Sequence, residues 1–106
     1  MKIGIIIETK DYEKSWNGMR FAVTAEKSGH EVRVFLLGEG VEIPFMHHET
    51  FNVGSLVNEF YEIGGELFAC GTCMNTRMMK ESELCQVSTM FECLRMVEWA
   101  DKTVTF

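Results

Sequence analysis

The chain predicts an α/β fold: a three-layer α/β/α arrangement around a mainly parallel sheet of about five strands. Two observations carry this. Short segments rich in β-branched and other apolar residues alternate with segments whose apolar residues recur at helical spacing. The first apolar segment, Ile3, Ile5, Ile6 and Ile7, is also nearly continuous, which suits a strand covered on both faces rather than one facing water. With one proline, no low-complexity stretch, no internal repeat and 106 residues, the expectation is a single domain over residues 1–106.

The elements follow in order. Lys2 to Thr9 is the first strand, closed by Glu8 and Thr9. Asp11 is placed to cap the helix behind it, where Trp16, Met19, Ala22 and Val23 share a face, and Gly29 supplies a stop. Glu31 to Leu37 is the second strand. Gly38 to Phe51 is a long connection holding Pro44, Met46, His47 and His48, and long connections in compact domains often carry function. Asn52 is placed to cap a second helix with Leu56, Val57, Phe60 and Ile63 on one face, ended by Gly64-Gly65. Glu66 to Cys70 is the third strand, and a short helix from about Cys73 to Lys80 follows. A brief strand at Cys85 to Val87 precedes a Thr89-x-x-Glu92 capping box, which opens a helix carrying Met90, Leu94 and Val97. Thr103 to Phe106 is the final strand.

Composition excludes several function classes. A net charge of −6 with scattered lysines and arginines offers no nucleic-acid surface. No apolar run approaches the roughly 20 residues that span a bilayer, so no membrane association is expected. The N-terminal segment reads as a strand rather than a signal peptide. Four cysteines without a secretory signal point to a reducing, cytoplasmic compartment, where thiols serve catalysis or metal binding more than a disulfide framework. Eight methionines suit adaptable core packing, a subunit interface or a soft-metal site.

The chemistry concentrates in Cys70-Gly71-Thr72-Cys73. A thiol at a strand end and helix start lies where backbone N–H groups and the helix dipole favour the thiolate, the form that attacks. Gly71 lets the chain turn and Thr72 can hydrogen-bond beside the sulfur. The bland alternative is an inert last residue of the strand. Cys73, one turn on, can resolve a disulfide, receive sulfur, share a metal, or simply pack. Zinc would need Cys85 and Cys93 as further ligands, but these stand too far apart for a knuckle, and Cys93 lies in a predicted helix where it reads as core. A thioredoxin-like dithiol reading fits the motif but not its context, since the motif follows two strand–helix units and the only proline, Pro44, precedes it. His47 and His48 can serve as acid, base or thiolate partner if their loop folds over Cys70, or they form a solvated tip. Glu8 can orient such a histidine. Arg77 can bind an anion or steady a persulfide, or make a surface ion pair. Neither a cofactor nor a metal is expected.

With these residues in view, the chain resembles the DsrE/DsrF-like family, which includes TusD-type sulfur-relay subunits. The likeness runs from Lys2-Ile3-Gly4-Ile5-Ile6-Ile7 through the strand ending in Ala69-Cys70 and the helix bearing Thr76-Arg77. It ends with Val97-Glu98-Trp99-Ala100-Asp101-Lys102-Thr103-Val104-Thr105-Phe106. The resemblance implies a homotrimer or homohexamer and a persulfide on the cysteine after the third strand, the position of Cys70. Sulfur donor and acceptor proteins are the implied partners. This chain departs from relay members in following Arg77 with Met78-Met79 rather than glycine, and in adding Cys73.

Overall fold

The computed structural model describes residues 1–82 and 84–106. Strands β1 (Lys2–Ile7), β2 (Glu31–Leu36), β3 (Glu66–Cys70), β4 (Gln86–Ser88) and β5 (Lys102–Thr105) form one sheet in the order β4-β3-β2-β1-β5. Every adjacent pair is parallel. Helices α1 (Tyr12–Lys27), α2 (Val53–Glu62), α3 (Gly71–Thr76) and α4 (Met90–Trp99) occupy the connections. The chain walks outward from β1 to β4, then crosses back over the sheet through α4 to lay β5 against the far side of β1. Right-handed crossovers in opposite directions put helices on opposite faces, so α1 and α2 share one face and α4 takes the other.

Alternation along the strands sorts the two cores. Ile3, Ile5 and Ile7, Val34 and Leu36, and Leu67 and Ala69 point to one side, where they pack with Met19, Ala22, Val57 and Phe60 of α1 and α2. The opposite side is smaller: Phe35, Cys70, Cys93 and Met96, with Ile6, Phe68 and Trp99 half-buried against them. Among the described residues α4 covers it, with Cys73 of α3 packed at its edge.

The end signals act as their residue types require. The Asp11 side chain accepts from the Lys14 N–H at 2.9 Å, and Thr89 Oγ1 accepts from the Glu92 N–H at 3.3 Å. Asn52 stands at the start of α2, yet its side chain makes no capping bond, and its Oδ1 is buried without a partner. Three helices end in a Schellman pair of hydrogen bonds. In α1 the His30 N–H reaches Ala25 O at 3.2 Å and Gly29 N–H reaches Glu26 O; in α2 Gly65 and Gly64 repeat the pattern to Phe60 and Tyr61. In α3 the Met79 N–H reaches Met74 O and the Met78 N–H reaches Asn75 O, both at 3.0 Å. Gly29 and Gly64 hold the left-handed position in the first two, but Met78 holds it in the third, at φ 52°.

Several boundaries differ from the expectation. The helix after β3 begins at Gly71 rather than Cys73 and stops at Thr76 rather than Lys80, because the left-handed Met78 turns the chain out. The long connection is ordered at its start: Gly38–Phe45 winds as a 3₁₀ segment around buried Val41, Ile43 and Pro44. In α4, Cys93 and Met96 face the sheet, whereas Met90, Leu94 and Val97 lie in the solvent with Phe91.

Met78 combines an unfavourable backbone with a side chain that is 91 % exposed, so nothing is gained from its packing. Met78→Gly should therefore stabilise the fold by about 1 kcal/mol, the cost of a Cβ in the left-handed region. Urea titration measures it, and an unchanged or lower midpoint would mean that Met78 makes contacts the isolated chain does not reveal.

Candidate functional site

The parallel register brings the carboxyl ends of β1, β2 and β3 to one rim. Ile7 pairs with Leu36, and Leu36 with Ala69. Glu8, Leu37 and Cys70, the residue after each of these, therefore stand at the same level, and Gly38 follows directly. Gly71 permits a tight departure from β3: a Cβ there would stand 3.1 Å from Val87 and 3.2 Å from the Ser88 carbonyl of β4.

Cys70 ends β3 and caps α3, with φ −63° and ψ 118°. It is 5 % exposed and belongs to the smaller core. Burial raises the pKa of its thiol. The N–H and side-chain donors of Cys73 and then of Thr72, grouped at the start of α3, outweigh this and the net shift is downward, while the Cys70 side chain accepts no capping hydrogen bond of ordinary geometry. With only six residues, α3 contributes these individual donors rather than a long macrodipole.

Cys73 sits at the seam between the two cores and is half-buried. Its sulfur accepts from the Gly38 N–H at 3.3 Å. The start of the 3₁₀ segment is thus tied to α3 through the second thiol.

Arg77 is committed elsewhere. Its Nε donates to Glu42 Oε2 at 2.9 Å and its Nη1 to the Cys73 carbonyl at 3.1 Å. The Arg77 hydrogen bond holds the Glu42 carboxyl below its ordinary range against the opposing effect of burial, with Lys10 adding to the lowering. Arg77 therefore braces the 3₁₀ segment and the backbone of α3, and lines a shallow depression with Phe45, Met46 and Met79. It acts on the thiols through the chain, not by pointing its charge at Cys70.

The histidines are not gathered with the thiols. His48 Nδ1 accepts from the N–H groups of Thr50 and Phe51, at 3.1 and 3.0 Å, and its ring packs between Tyr12 and Phe51. With Nδ1 accepting two backbone N–H groups, His48 is a staple of its own loop. His47 is exposed, and both rings line a separate basin with Glu49, Thr50 and Asn52. Among the described residues no set of three His, Cys, Asp or Glu side chains converges as metal ligands would.

The geometry adds one group that the sequence reading left in the core, and it keeps Glu8 at the strand-end rim where the sequence put it. Cys93 is core, as expected, but it is also the neighbour of Cys70: its thiol is raised by burial, then by negative charge on Cys70 and on Glu8. Glu8 thus stands on the thiol rim without any histidine to orient. The Cys93–Met96 spacing on one helical face was the available signal, and it competed with the equally periodic Met90–Leu94–Val97 stripe. Cys85, buried beside Glu81, is pushed up to about 12, first by burial and then by that carboxylate.

A five-stranded parallel α/β sheet with a donor-stabilised thiol after its third strand defines a class of small thiol-bearing α/β proteins. The DsrE/DsrF-like family profile matches residues 1–106, and the chain belongs to that family. It is 33% identical to Uncharacterized protein MJ0989 of Methanocaldococcus jannaschii, with 100% of both chains covered. It is 30% identical to Uncharacterized protein MK0008 of Methanopyrus kandleri, over 98% of this chain and 93% of that one. Among solved structures, the ychN protein from E. coli shares the fold with a TM-score of 0.89 at 22% identity, covering 100% of this chain and 99% of that chain. BT1422 from Bacteroides thetaiotaomicron shares it with a TM-score of 0.79 at 17% identity, covering 99% and 94%. Among the described residues, no helix is long and apolar enough to cross a membrane.

The donors around Cys70 predict its reactivity. Its alkylation by iodoacetamide should reach half-maximal rate below pH 9.0, because the lowered pKa leaves more thiolate at neutral pH than an ordinary thiol has. Thr72→Val removes the hydroxyl, the smallest of these contributions, and should slow the reaction at pH 7 by about twofold. An unchanged rate would show that the hydroxyl does not act on the sulfur. Cys85 predicts the opposite trend in stability. Its folded-state pKa is raised, so its contribution is complete below the ordinary thiol value and is lost as pH climbs toward about 12. Denaturation midpoints should fall across that alkaline window in the native protein and fall less in Cys85→Ala. Parallel pH profiles for the two proteins would refute it.

Proposed function

We propose that the protein is a persulfide carrier with Cys70 as the sulfur-bearing residue. The observation that carries this reading is the place of Cys70 at the carboxyl rim of the sheet and the N-cap of α3, where the donors of Cys73 and Thr72 lower its thiol. The thiolate attacks the outer sulfur of a donor persulfide. A bond forms between Cys70 Sγ and that sulfur, the donor's S–S bond breaks, and the donor leaves as a thiolate. No net oxidation occurs. The donors that steady the thiolate suit the persulfide anion, whose charge lies one atom further out.

Membership in the DsrE/DsrF-like family supports this assignment. Partners are a sulfur donor and a sulfur acceptor protein, and the near-complete burial of Cys70 requires each to reach into the rim rather than graze it. Self-association as a trimer or hexamer is part of the same reading. Its support is the apolar stripe of Met90, Phe91, Leu94 and Val97, exposed on the helix that covers the smaller core. Arg77 has a positioning role through the Cys73 carbonyl, and His47 and His48 shape the neighbouring loop where a partner docks.

The test is peptide mass spectrometry after anaerobic incubation with glutathione persulfide. A gain of about 32 Da on the Cys70 peptide, absent in Cys70→Ser, is expected at early times. A folded, reduced protein that gains no sulfur at Cys70, or gains it equally at all four cysteines, overturns the reading.

A further inference from the structure

We propose that Cys73 discharges the Cys70 persulfide as hydrosulfide, so that the two thiols together reduce sulfane sulfur to sulfide. The inference rests on the carrier reading of Cys70 and adds a fate for the sulfur.

Three observations carry it. Cys70 stands at the N-cap of α3 and Cys73 three residues on in its first turn, and the Cys73 side chain packs against the small core cluster that contains Cys70. Its own sulfur is held from the other side by the Gly38 N–H at 3.3 Å, a donor from a different element. That bond fixes the position of the Cys73 side chain. Arg77 clamps the Cys73 carbonyl, and the Schellman pair at Met78 and Met79 ends the helix directly behind it. Cys93, the other thiol nearby, is buried and disfavoured as a thiolate by the negative charge of Cys70 and Glu8. It is a neighbour without a nucleophile's environment.

The step balances. Cys73 gives its proton to the outer sulfur of the Cys70 persulfide anion and attacks Cys70 Sγ. The Cys70–Cys73 disulfide forms, the bond from Cys70 Sγ to the outer sulfur breaks, and hydrosulfide leaves. The outer sulfur takes up two electrons and the thiol pair loses two. A small or protein dithiol reductant then restores both thiols by ordinary exchange.

The experiment uses the whole chain, reduced, anaerobic, and loaded with one equivalent of glutathione persulfide, with hydrosulfide trapped by monobromobimane. The native protein should release about one equivalent of hydrosulfide and end about 2 Da below its reduced mass. Cys70 and Cys73 should then resist iodoacetamide until reductant is added. Cys73→Ser, with Cys73→Ala as a second variant, should keep the extra sulfur of about 32 Da on Cys70 and release at least tenfold less hydrosulfide. Cys93→Ala should behave like the native protein. If the native protein holds its added sulfur as long as Cys73→Ser does, the discharge step is wrong and the carrier reading stands. If neither takes sulfur at Cys70 while both are folded, the carrier reading falls and this inference with it.

Discussion

The rim that holds the thiols exists because β1, β2 and β3 are paired parallel and nearly level. Ile7, Leu36 and Ala69 lie side by side across the sheet, so the three chains leave it together. Two hydrogen bonds then stitch the departing segments: the Leu37 N–H donates to the Ile7 carbonyl at 3.0 Å, and the next N–H, on Gly38, donates to Cys73 Sγ. A slip of one residue in β2 against β3 would turn its side chains to the wrong faces and carry the Gly38 N–H away from the sulfur. The position of a donor for Cys73 is thus set by apolar residues in the middle of the sheet that have no chemistry of their own.

Three of the four cysteines are buried, and burial alone raises a thiol's pKa. Their divergence therefore measures what surrounds each sulfur. Cys85 and Cys93 receive only negative neighbours, from Glu81 in one case and from Cys70 and Glu8 in the other, and both are raised. Cys70 alone is surrounded by donors, and it alone is lowered. Among the three buried thiols, the one that is lowered need not be the more exposed. It needs N–H and O–H groups converging there, and a strand that turns abruptly into a helix provides them because the first N–H groups of a helix have no intrahelical partner.

Much of this was legible in the sequence. The Ile3–Ile7 run, Asp11, Gly29, Gly64-Gly65 and the Thr89–Glu92 box each marked an element or its end. Cys70 was legible as the thiol at the third strand's exit. What escaped depended on tertiary context. Met78 as a helix stop carries no signal, since the left-handed position there takes a residue that ordinarily avoids it. Asn52 has the right type and place for a cap, yet its oxygen points into the interior. The histidines are polar residues in a long loop, which is all sequence can see. Whether such a loop folds toward Cys70 or onto Tyr12 is decided by packing of the His48 ring, and it folds onto Tyr12. The two apolar stripes of α4 are equivalent by periodicity, and only the sheet distinguishes the one that is buried.

That ambiguity in α4 has a physical consequence for the site. The face bearing α1 and α2 closes over a large core, whereas the face bearing α4 leaves Ile6 and Phe68 half-covered and sets the Leu94 side of the helix in water. Cys70 belongs to this thinner face, and Cys73 touches both. The thiol pair therefore spans a boundary between a core covered by two helices and a thinner layer whose outer helix face is exposed. The place of the rim itself is fixed by the strand register.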